Sequence, residues 1–123
     1  MAKLDVLSSD VLQQISDLKI YRSGWANDIR EGWQFGAEDI QGILFGLYEI
    51  SGSIILALEQ VVKGHYRDKM AMILVQRKLQ NLVKSEDFKD YDELCTEGFM
   101  SVISSGTKHH IRVMFECLKI LTA

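Results

Sequence analysis

The chain contains no proline. Average usage of about 5% would place roughly six in a protein of this length. Proline removes a backbone donor and clashes with the preceding turn, so its absence leaves all 123 residues free to be helical. Cysteine is also scarce: Cys95 and Cys117 are the only two, too few for a disulfide framework. Neither sign of charge dominates, with 17 acidic against 14 basic residues and a net charge of −3. The molecule as a whole therefore has no attraction for phosphate backbones or anionic lipid, and neither nucleic acid nor membrane is expected as a partner. The opening MAKLDVLSSD lacks the charged-then-apolar build of a secretory signal, which makes the cytoplasm the expected compartment. Hairpin turns of the Asn-Gly or Asp-Gly kind are missing, as is any long period-two alternation, so strands find no support.

What is present is an ordinary globular composition, 47% hydrophobic and 25% charged. The expected fold is all-α: a single domain over residues 1–123, built as a compact bundle of five to six helices with one long central helix. Asp10 and Gln13 suggest a capping box for a first helix carrying Val11, Ile15 and Leu18 and ending near Tyr21. Ser23 would cap a second, short helix with Trp25, Ile29 and Trp33 on one face, stopped at Gly36. The long helix runs from Ala37 to Lys63, with Gly64 as its end. A fourth covers His65 to Lys84. Ser85 or Asp90 caps a fifth with Tyr91, Leu94, Cys95, Val102 and Ile103, closed by Gly106. Thr107 opens the last, with Ile111, Met114, Phe115, Leu118 and Leu121. Residues 40 to 58 carry one formal charge, Glu49, over a length that could span a bilayer. Ile43, Leu47, Ile50, Ile54 and Leu58 gather on one side, however, with Glu38, Asp39, Glu49 and Gln60 opposite, which predicts a core helix of a bundle.

Catalytic chemistry is poorly served. The glycines of GILFGLYEISG lie inside an apolar helical pattern, with no GK[ST] to charge-match a phosphate. Cys95, His109, His110 and Cys117 do not fall into any C-x-x-C, H-x-x-x-H or HExxH spacing that puts two ligands on one ion. Both cysteines sit on or beside apolar faces and read as small core residues. His109 and His110 fall in the first turn of the last helix, where exposure is expected, and nothing pairs them with a thiol. Small helical ribonucleases of the HEPN type place a histidine about one to two helical turns after an arginine; Arg22, Arg30, Arg67, Arg77 and Arg112 all lack one. No catalytic residue, cofactor or metal is expected.

Two helix faces look built for contact instead. On the long helix, Gly42, Gly46, Glu49 and Ser53 align opposite the apolar stripe. Glycine within a helix costs about 0.5–1 kcal/mol against alanine, and a close crossing, within the chain or with a partner, would justify it. The fourth helix is apolar on two sides: Ala71, Val75, Leu79 and Leu82 should face the core, while Tyr66, Met70, Ile73 and Arg77 form a second stripe with Arg67 beside it. Residues 63 to 84 are rich in Lys and Arg, and residues 85 to 97 in Asp and Glu. The two runs either neutralise one another or steer a charged partner. The expectation is a non-catalytic regulator, in the manner of an inhibitor, immunity protein, antitoxin or chaperone, that binds a larger protein and acts as a homodimer. The competing expectation is a small helical enzyme or RNA-binding module assembled from scattered residues such as His65, Arg67, Glu49 and Tyr66.

Overall fold

The computed structural model describes residues 2–32, 38–65, 68–97 and 107–123. It forms five helices: α1, Ala2–Gly32; α2, Glu38–Val62; α3, Lys69–Lys84; α4, Glu86–Glu97; and α5, Thr107–Thr122. There is no strand among the described residues. The bundle is organised around α2, which packs on every other helix and most extensively on α1. Leu44, Leu47, Ile54 and Leu58 are fully buried along it. Gln41–Val62 is long and apolar enough to cross a membrane, and half of that apolar window lies inside the bundle.

One helix, α1, stands where two were expected. Residues 11, 15, 18, 22, 25 and 29 keep a continuous four-three spacing, so the apolar stripe of Val11, Ile15 and Leu18 runs straight on into Trp25 and Ile29. A break at Ser23 would rotate Trp25 off the core; an unbroken helix keeps it fully buried. Asp10 consequently lies inside the helix and caps nothing, while Gln13 donates to Asp17 one turn on (3.0 Å).

Other boundaries follow from local hydrogen bonding. Gly64 ends α2 at φ +76°, with its own N–H donating to Val61 and the His65 N–H to Gln60, an arrangement that satisfies two terminal carbonyls. The next helix begins at Lys69, later than expected, because Asp68 caps it by accepting the Ala71 N–H (3.0 Å). Ser85 turns the corner between α3 and α4 alone: its hydroxyl donates to the Leu82 carbonyl (2.7 Å) and accepts the Phe88 N–H (3.2 Å). Glu86 and Asp87 in the first turn of α4 suit the positive end of the helix dipole. Trp33, Gly36, Tyr66, Arg67, Val102, Ile103 and Gly106 lie outside the described residues, as do the side chains of Leu94 and Cys95.

Candidate functional site

The third helix separates its two apolar stripes. Val75, Leu79 and Met72 are buried, with Ala71 and Leu82 packed against the same core. On the opposite side Met70 is 68% exposed and Leu74 55%, with Arg77 and Lys78 in solvent beside them and Ile73 half-buried at the edge. The stripe expected as surplus is therefore outside the core along its described length, and Leu74 belongs to it. Leu74 was legible as the residue one turn after Met70.

The basic residues on this face keep their charge unspent. Among the described residues no carboxylate pairs with Lys69, Arg77, Lys78 or Lys84; Asp92 of α4 turns instead to Lys108 of α5 (3.6 Å), and Glu86 to Lys89 in its own helix (3.8 Å). Among the described side chains, then, no ion pair joins the acidic run to the basic one. What α3 presents to solvent is an apolar strip edged by uncompensated positive charge.

The four positions aligned on α2 divide. A Cβ on Gly46 would lie 2.8 Å from Leu82 Cδ1, so this glycine faces α3 within the chain and leaves room for the tip of the Leu82 side chain. Around Gly42 nothing among the described residues comes within 4 Å. Gly42→Ala should then stabilise the monomer by about 0.5–1 kcal/mol, read by urea denaturation, since the helix gains and nothing is struck. Glu49, exposed, and Ser53, half-buried, line a groove of about 840 Å³ between α1 and α2. The far wall of that groove is α1, with Lys19, Arg22 and Ser23; His65 is not part of it.

Arg22 is the residue sequence reasoning passed over. It occupies a position of the α1 stripe that calls for an apolar side chain, between Leu18 and Trp25, and this intrusion was the available signal. Its Nε donates to the Tyr48 carbonyl (3.1 Å) and its guanidinium lies 3.6 Å above the Tyr48 ring centroid. Gly52 makes this possible, because a Cβ there would stand only 3.0 Å from the Arg22 Nε.

His110 and Cys117 are not arranged for nucleophilic chemistry. Contrary to the expected exposure, His110 is buried, stacked on Tyr21 at 3.8 Å and edge-on to Trp25 at 5.9 Å. The rotation that sends Met114, Cys117, Leu118 and Leu121 into the core carries His110 with them. Burial, helped by the neighbouring His109, pushes its pKa down to about 4; burial, then Glu116 and Asp17, push the Cys117 thiol up to about 12. At neutral pH one is an uncharged imidazole and the other an uncharged thiol, and a nucleophilic cysteine needs a thiolate. Among the described residues no three His, Cys, Asp or Glu side chains gather where they could share a metal ion. The chain matches no family model, no curated protein and no solved structure.

Proposed function

We propose that the protein is a non-catalytic regulator that binds a larger partner protein, such as an enzyme it inhibits, and that it works as a homodimer. The outward face of α3 supports the partner-binding part of this reading. Exposed Met70 and Leu74 offer an adaptable apolar strip, Arg77 is of a type enriched at binding hot spots, and Lys69, Lys78 and Lys84 surround them with positive charge. An acidic protein surface with an apolar centre is the complementary partner, steered in by charge and held by burial of the strip. The apolar centre distinguishes this face from a phosphate-binding one, which would place its basic residues at the middle of the contact.

The test is affinity capture from native lysate with wild type and with Met70→Asp/Leu74→Asp. Both residues are exposed, so the variant should retain its helical circular dichroism and cooperative unfolding. Placing two carboxylates in the strip should weaken a defined protein partner by about thirtyfold or more, and rising salt should weaken the wild-type complex too. Equal capture by both proteins removes α3 from the contact. Capture that vanishes on nuclease treatment replaces the protein partner with RNA.

A further inference from the structure

The groove between α1 and α2 carries two opposite charges that do not meet. Arg22 is fixed on one wall by the Tyr48 carbonyl and ring, and Glu49 stands exposed in the same groove; among the described residues neither makes an ion pair. Exposed apolar side chains lie on the same two helices. Leu56, at the lip of the groove, is 65% exposed, Ile20 on α1 is 54% and Phe45 on α2 is 49%. A shallower hollow lined by Ile20 shares Lys19 and Ser23 with the groove, so the two are continuous.

We propose that this face binds a second copy of the chain about a two-fold axis, with Arg22 of each copy paired to Glu49 of the other and with Leu56, Ile20 and Phe45 buried between them. The inference rests on the homodimer element of the preceding reading and names its surface. A two-fold interface must be complementary to itself, since whatever one copy offers the other offers too. The α1–α2 face meets that condition: it holds one uncompensated charge of each sign, beside Lys19 and Glu59, which are already paired at 3.6 Å. The α3 face does not, because a two-fold would set lysines and arginines against their own kind. Self-association and partner binding thereby fall on different surfaces. Arg22 is also prepared for the role. Its Nε is held by the Tyr48 carbonyl and its guanidinium by the Tyr48 ring, so less side-chain freedom is lost when its terminal nitrogens take a carboxylate, which a guanidinium can grip through two hydrogen bonds.

Light scattering on a dilution series of the full chain tests this with Glu49→Arg, Leu56→Asp and Arg22→Glu. Wild type should be dimeric. Glu49→Arg and Leu56→Asp alter exposed side chains and should stay folded while weakening the dimer by about thirtyfold or more. Glu49→Arg and Arg22→Glu, each monomeric alone, should form a dimer when mixed in equal amounts, because every arginine then faces a glutamate. A wild type monomeric into the millimolar range overturns the proposal and leaves the α3 contact to stand or fall by capture. A dimer indifferent to Glu49→Arg and Leu56→Asp also overturns it, by placing the contact elsewhere.

Discussion

Trp25→Ala is expected to cost about 3–5 kcal/mol of folding free energy, the range for removing a large aromatic side chain from a packed interior. Trp25 is fully buried, stands toward the C-terminal end of the α1 stripe, and meets His110 edge-on across the boundary with α5. Truncation would leave a cavity between α1 and α5 that neighbours on two different helices cannot close together. Domains of this size are stable by about 5–15 kcal/mol, so the variant should unfold at a much lower urea midpoint or fail to fold. Leu74→Ala provides the contrast. That side chain is 55% exposed, and its loss should change the folding free energy by no more than about 0.5 kcal/mol. If the two variants proved equally destabilised, the separation of α3 into a core side and a solvent side would be wrong.

The second large effect is on pH dependence. The His110 imidazole is held neutral in the folded protein, with its pKa pushed from 6.5 down to about 4. The unfolded chain takes up the proton near 6.5 and the folded one does not until near 4. Between those values acid therefore favours unfolding. The stability contributed by the neutral, buried form is intact above pH 6.5 and drains away as pH falls toward 4, by up to about 3 kcal/mol. His110→Phe keeps a ring to stack on Tyr21 and has nothing to protonate. Denaturation curves at pH 7 and pH 4.5 should show a markedly smaller loss for the variant than for wild type, the carboxylates being common to both. Equal losses would mean that His110 takes up its proton without disturbing the fold, as an exposed histidine does.

Much of the architecture was written in local patterns. The helical class followed from apolar spacing and the missing proline, and the end of α2 from Gly64, whose backbone conformation is one that side chains with a Cβ rarely adopt. The corner at Ser85 was one of two caps the residues offered; serine can both donate to the turn behind it and accept from the turn ahead, and Asp90, the other, lies inside α4. The division of α1 into two helices was not correct, although the correct pattern lay in the same residues. Ser23 is a good cap where a helix must begin, but the four-three stripe through Trp25 outweighs a local preference worth about 1 kcal/mol. His110 was misplaced for a related reason. Two adjacent histidines in a first turn say nothing about which one faces inward, and that depends on how α5 is rotated against α1.

The sequence by itself determined that the chain is a helical bundle around a long central helix, because helix formation and amphipathic burial depend on neighbours three and four residues apart. It also marked the charge-rich stretch and the doubly apolar helix as material for contact. Only the tertiary structure decided which apolar stripe of α3 stays in solvent, that Gly46 faces Leu82 of α3 while Gly42 meets no described atom, and that Arg22 and Glu49 share a groove without pairing. Those outcomes are set by packing between helices distant in the chain, and a side chain's neighbours across such a boundary are not encoded in its own periodicity.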